Sequence, residues 1–194
     1  MRALLALLWL LHWLPLPLLA LLGRALGMLL WRLAPARRRI ALRNLELCLP
    51  ELSAAPRRAL AFEHFQWLGR SLLERGLLWH ASPRRLRRLI HVEGPIAFAD
   101  QHRGPLMWLV PHFLALDVGP VALQLFTDRP GCTIYQTQSN AVLDAALRRA
   151  RLRFGKAVLF SRRDGAKPLM RAIREGRGFF NLPDMDFGAK DAAF

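Results

Sequence analysis

The segment Ala3–Leu22, ALLALLWLLHWLPLPLLALL, carries no formal charge, and any fold of this chain has to house it. About 20 apolar residues suffice for a helix across the hydrocarbon core of a bilayer. Trp9, Trp13 and Trp31 are spaced as aromatics that mark the membrane–water interfaces. Pro15 and Pro17 lack amide donors, so they predict a kink or a shallow, partly embedded helix. Arg24, Arg32 and the run Arg37-Arg38-Arg39 follow the segment, against Arg2 alone before it. That asymmetry predicts that the rest of the chain lies on the cytoplasmic side. Ala34-Pro35-Ala36 has the small-x-small form of a signal-peptide site. The hydrophobic stretch is too long for one, however, and Trp31-Arg32 suit a cleavage site poorly. Residues 1–35 are therefore read as a retained anchor, a transmembrane helix by length.

Charge narrows the possible partners. The formal net charge is +15, and all but three of the 29 basic residues are arginine. Such a surface favours anionic partners: lipid headgroups, acidic carrier proteins or nucleic acid. Aromatic–basic RNA-binding patterns are absent, and Tyr135 is the one tyrosine, which argues against nucleic acid. Cys48 and Cys132 form no CxxC pair, so two free thiols are expected and no zinc or disulfide framework.

Residues 36–89 read as a helical, basic, membrane-proximal segment. Arg37 to Leu49 places Ile40, Leu42, Leu45 and Leu49 broadly on one side before Pro50 stops it. Ser53 is the expected N-cap of a helix running to Leu78, with Leu60, Phe62, Phe65, Leu68, Leu72 and Leu73 inward. Ser82-Pro83 opens a short helix to Leu89 bearing Arg84, Arg85, Arg87 and Arg88. These arginines form either a solvated face or a patch for anionic headgroups.

From residue 90 to 194 the pattern becomes alternating strand and helix. Strands are predicted at 90–94, 106–110, 133–136, 157–160 and 178–182, with helices at about 113–126, 140–153 and 166–175. The run Leu106-Met107-Trp108-Leu109-Val110 predicts a central strand buried on both faces. The fold class is α/β: an N-terminal membrane helix and helical segment, then a mainly parallel sheet flanked by helices. Chemistry on such a sheet belongs just beyond the carboxyl ends of the strands. There the first long strand runs into Pro111-His112-Phe113-Leu114-Ala115-Leu116-Asp117. From the next helix Asp117 is expected to hold one nitrogen of His112, leaving the other free to take a proton.

Three ordered blocks resemble a known family. Arg38-Arg39-Ile40-Ala41-Leu42-Arg43-Asn44-Leu45 followed by Cys48-Leu49-Pro50-Glu51 resembles the N-terminal block of the bacterial lipid A lauroyl/myristoyl acyltransferases, with Leu49 in place of their Phe. His112 through Asp117 resembles their HxxxxE or HxxxxD box. Arg174-Glu175-Gly176 and then Asn181-Leu182-Pro183-Asp184-Met185-Asp186-Phe187-Gly188 resemble their last block. Asp117 is one methylene shorter than the Glu commonest in lipid A enzymes. Family members run on for roughly another third of their length, so the resemblance implies a C-terminally truncated chain.

The resemblance also implies a reaction. A fatty acyl chain moves from an acyl carrier protein thioester to a hydroxyl of a lipid A precursor or related envelope lipid, at the cytoplasmic side of the bacterial inner membrane. His112 takes the hydroxyl proton and Asp117 orients it. The substrate supplies the nucleophile, so neither an enzyme nucleophile nor a cofactor is required. Arg148, Arg149, Arg151 and Arg153 are candidates to stabilise the oxyanion or meet substrate, and Arg162-Arg163-Asp164 either meets headgroup phosphate, with Arg163 as the candidate, or turns the chain. Asp184 and Asp186 are assigned to structural or acceptor-positioning roles, because two carboxylates fall short of a Mg²⁺ or Ca²⁺ site. Two alternatives remain: a different glycolipid or phospholipid acceptor, and a non-catalytic basic membrane adaptor.

Overall fold

The computed structural model describes residues 1–184. It comprises two compact units, one over Ala3–Ala81 and one from Ser82 onward.

The N-terminal unit is helical. The apolar run is two helices rather than one, α1 (Arg2–Leu11) and α2 (Leu16–Leu33). Pro15 has no amide to continue α1, whereas Pro17 falls in the first turn of α2, where amides lack helical partners anyway. The helix long and apolar enough to cross a membrane is therefore Leu16–Leu33, displaced towards the arginines from the expected Ala3–Leu22. Helix α3 covers Pro35–Cys48 and α4 covers Ala54–His80. Ser53 caps α4 by position, without a side-chain hydrogen bond. Trp31 of α2 is buried edge-on against Phe62 and Phe65 of α4. Glycines let the two helix backbones touch: a Cβ on Gly27 would lie 2.2 Å from the Phe65 carbonyl oxygen, and one on Gly69 would lie 2.2 Å from that of Gly23.

The second unit opens with α5 (Pro83–Leu89), whose N-cap Ser82 accepts from the Arg85 amide at 3.3 Å. The strand expected at 90–94 does not form. His91 and Glu93 are solvent-exposed and pair with each other at 3.6 Å, and Gly94 turns the chain at φ 93°. After a short α6 (Phe98–Gln101) come β1 (Leu106–Leu109), α7 (Val118–Phe126), β2 (Gly131–Tyr135), α8 (Ala141–Leu152), β3 (Ala157–Ser161), α9 (Ala166–Arg174) and β4 (Gly178–Asn181). The four strands are all parallel, in the order β1-β4-β2-β3. Successive residues of a strand face opposite sides. Phe179 accordingly packs into a core with Cys132, Leu169 and Ala172 on the α9 side. Phe180 meets Gly119 of α7, its ring 3.3 Å from where a Cβ would sit.

Strand β1 corrects a second expectation. Among the described residues it is an edge strand, with Met107 51% and Leu109 65% exposed. A continuous apolar run cannot distinguish the middle of a sheet from its edge. What holds its approach in place is Arg129. Its guanidinium donates to the carbonyls of Ala99, His102 and Gly104, while Asp100 accepts from the Asp128 and Arg129 amides at 2.9 Å.

Candidate active site

The carboxyl ends of all four strands open into one cleft of about 380 Å³. Its wall includes His112 beyond β1, Asn181 and Leu182 at the end of β4, Tyr135 of β2 and Arg162 beyond β3. This is where a parallel α/β sheet places its ligand.

Pairing of β1 with β4 sets the geometry at His112. Leu109 lies beside Asn181 in the register, and the Val110 amide continues the ladder to the Asn181 carbonyl at 2.9 Å. Carried on by three residues, that register brings His112 beside Asp184. The His112 amide donates to Asp184 Oδ2 at 2.7 Å, and the ring Nδ1 lies 2.7 Å from Oδ1. A carboxylate at Nδ1 makes that nitrogen the protonated one and leaves Nε2 as the proton acceptor. Both hydrogen bonds favour the ionised carboxylate, so the Asp184 carboxyl is held below its ordinary value of 3.8. The two side chains remain partly open to solvent, at 39% and 40%.

Asp117, the expected partner of His112, stands at the N-cap of α7. Its Oδ1 faces Nη2 of Arg151 at 3.6 Å, and both side chains are partly buried. Arg151 lines the cleft, while its backbone carbonyl accepts from Gln124 at 3.3 Å. Of the other predicted arginines, Arg148 donates to the Tyr135 hydroxyl and stacks on its ring at 4.9 Å. Arg153 lies over Phe154 at 4.7 Å, where burial lowers its pKa. Arg149 and Arg163 are exposed, and the Arg163 amide caps onto Ser161. Asp186 lies outside the described residues. Arg162, read from the sequence with Arg163 and Asp164 as either a headgroup contact or a turn, lines the cleft. Among the described residues no three His, Cys, Asp or Glu side chains gather as a metal site. Cys48 is exposed, and Cys132 is buried with its thiol pKa pushed up by that burial.

This strand-end histidine on a parallel sheet sits within a wider sequence match. The profile of the bacterial lipid A biosynthesis acyltransferases matches residues 2–194. The chain belongs to that family. This family member is 36% identical to the lipid A biosynthesis lauroyltransferase of Escherichia coli K12, over 96% of its own length and 60% of that relative's. It is 31% identical to the palmitoleoyltransferase of the same strain, over 98% of its own length and 61% of the relative's. With the myristoyltransferase it shares 33% identity over 92% of its length and 54% of the relative's. It thus spans between 54% and 61% of the length of these relatives.

Proposed function

We propose that the protein transfers a fatty acyl chain from an acyl carrier protein thioester to a hydroxyl of a lipid A precursor, at the cytoplasmic face of the bacterial inner membrane. The observation that carries this reading is His112, set at the end of β1 on the wall of the cleft with Nδ1 held by Asp184 at 2.7 Å. The imidazole Nε2 takes the proton from the acceptor hydroxyl as its oxygen attacks the thioester carbonyl. Asp184 keeps the ring in the competent tautomer and stabilises the imidazolium that forms. The carbonyl oxygen gains negative charge and needs a positive or donor group beside it. Arg151 is the family member's candidate, because it lines the cleft and is itself positioned by Asp117. Collapse of the tetrahedral intermediate expels the carrier's thiolate, which recovers the proton from His112. The basic α5 and the N-terminal helices keep the site at an anionic membrane surface.

The test is acyl transfer in washed membranes from cells expressing the protein from its complete reading frame. Acyl carrier protein thioesters of different chain lengths are offered with a lipid A precursor and a panel of other hydroxylated lipids. Transfer to the lipid A precursor, lost in His112→Ala, is the expected result. Transfer to a different lipid of the panel would move the protein to that acceptor. No transfer to any of them would favour the adaptor reading.

A further inference from the structure

The apolar helix α2 packs along α4 rather than standing alone, and that packing decides what it can do in a membrane. Gly23 meets the Arg70 backbone and Gly27 meets Phe65 and Gln66, so the two helices run antiparallel. Leu8 of α1 meets Gly76, and His12, just beyond α1, meets His80 at 5.6 Å. Helix α1 is thus parallel to α4 and folds back beside α2. Two consequences follow. First, Gly23 lies near the middle of Leu16–Leu33, so Arg70, paired with Glu74 at 2.9 Å, sits level with the middle of α2. If α2, about 27 Å long, crossed the bilayer, this ion pair would be carried into the hydrocarbon core, with Arg70 close to the midplane. Charges at that depth are costly and rare. Second, a crossing α2–α4 pair would put the two ends of α4 on opposite sides of the membrane. The arginine-rich α3 would then be separated from the catalytic unit that begins at Ser82.

The exposed face of α2 is nevertheless built for lipid. Leu19, Gly23, Gly27 and Trp31 are buried, and the opposite face shows Leu18, Leu21, Leu22, Met28, Leu29 and Leu33 to the outside. Helix α1 adds Leu4, Leu7 and Leu10, each about half exposed or more. Arg24 and Arg32 on α2 and Arg37–Arg39 at the start of α3 are the basic groups of such a face. An apolar face beside arginines fits a single anionic leaflet.

We infer that α1 and α2 lie in one leaflet, with their apolar face in the lipid and α4 on the aqueous side, and that neither helix crosses the membrane. This rests on the membrane location proposed above and fixes its topology. Cys48, exposed at the end of α3, is a native probe. Arg2→Cys and Arg84→Cys, both at exposed positions, report before α1 and after α4. Each is made in a Cys48→Ala background, and Cys132→Ala removes the buried thiol from all three proteins. A membrane-impermeant maleimide is applied to spheroplasts, intact or permeabilised, with a periplasmic cysteine protein as control. The expected result is near-complete loss of labelling at all three positions in intact spheroplasts and its recovery on permeabilisation. A helix α2 that crosses would leave residue 2 inside the bilayer or on the other side from residue 48, because α1, about 15 Å long, is too short to return. Labelling of residue 2 from outside, or its protection in both preparations, overturns the inference. So does a difference in sidedness between residues 48 and 84. Recovery of the protein in the soluble fraction would instead overturn the membrane location itself.

Discussion

His112 and Asp184, 72 residues apart in the chain, meet through two contacts of 2.7 Å, one from the backbone amide and one at the ring Nδ1. The pair exists because β1 and β4 are neighbours in register, and two residues past the end of each comes a proline followed by a member of the pair, Pro111-His112 and Pro183-Asp184. Asp117, nearer in sequence, is engaged with Arg151 at 3.6 Å. Under the proposed mechanism the two aspartates have separable tasks, one on the base and one on a cleft arginine.

Those tasks predict different kinetics. His112→Ala removes the proton acceptor and is expected to reduce kcat by about 10²–10⁴-fold. Asp184→Asn is expected to lower kcat by a similar order, about 10²–10⁴-fold, because an amide neither charges the pair nor selects the tautomer. Asp117→Asn should act through Arg151, the candidate oxyanion donor, and so lower kcat more than it raises KM but by less than His112→Ala does, while Asp117→Glu should retain partial activity. Steady-state acyl transfer by folded variants checks this. If Asp117→Asn matched His112→Ala in kcat while Asp184→Asn remained near wild type, the roles of the two aspartates would be exchanged.

Much of this arrangement was legible in the sequence and some was not. Local signals located α5 and the strands at 106–110, 157–160 and 178–182 to within a residue or two. Those signals are hydrophobic runs bounded by Gly, Pro and Ser, and act over a few residues. The place of His112 beyond a strand end was legible, because the ligands of such sheets lie there. Its contact with Asp184 was not, since strand order is a long-range property and nothing in residues 181–184 signals that they lie beside 109–112. The exposed 90–94 segment failed for a related reason. Alternation marks a strand only where a neighbouring strand takes its hydrogen bonds, and His91 and Glu93 face solvent instead.

The pH profile follows from Asp184. Its folded pKa lies below the ordinary 3.8. The contribution of its charge is therefore fully present above that value and is lost as pH falls through the lowered one. Between neutral pH and pH 4 (roughly the ordinary Asp range) the carboxylate stays ionised beside His112. Any acid limb of the kcat profile at higher pH should thus belong to another group, and should still be present in Asp184→Asn. Measuring both profiles from pH 4 upward checks it; a limb above pH 5 that disappears in Asp184→Asn would contradict the assignment.

A stability prediction attaches to Arg129. Three carbonyls, those of Ala99, His102 and Gly104, depend on one guanidinium. Lysine has the charge but not the planar fork. Arg129→Lys is expected to destabilise the second unit by about 2–3 kcal/mol, in line with hydrogen bonds to a charged group. Chemical denaturation monitored through the strand and helix signal measures it, and a loss within experimental error would show that water replaces the guanidinium.

Reversal of the α5 arginines tests the membrane surface. Arg84, Arg85, Arg87 and Arg88 lie on a seven-residue helix, and the Arg87 guanidinium already rests over Phe126 at 5.5 Å. Changing Arg84, Arg85 and Arg88 to Glu leaves that contact intact. At low salt each basic residue near an anionic surface contributes about 1 kcal/mol. The triple variant of a protein lacking residues 1–35 should bind phosphatidylglycerol vesicles at least tenfold more weakly, with the difference shrinking as salt is raised. Binding equal to the parent at all salt concentrations would leave the arginines as an ordinary solvated face.

The glycine contact between α2 and α4 makes the sharpest mechanical prediction. At Gly27 a Cβ would come to 2.2 Å from the Phe65 carbonyl oxygen and 2.5 Å from the Gln66 Cα. Both neighbours are backbone, so no rotamer change makes room, and the helices have to separate. Gly27→Ala is therefore expected to cost about 3 kcal/mol, the upper end of the overpacking range, even though alanine favours an isolated helix by about 1 kcal/mol over glycine. Separation would also uncover Trp31, Ala61 and Phe65, the buried residues of this interface. Ala25→Leu, on the exposed side of the same helix, adds more volume yet should be tolerated. Thermal melts of the detergent-solubilised variants, followed by the helical signal and by protease cleavage within α4, compare the two. If Gly27→Ala melts with the wild type while Ala25→Leu is destabilised, the packed face of α2 is the one assigned here to lipid.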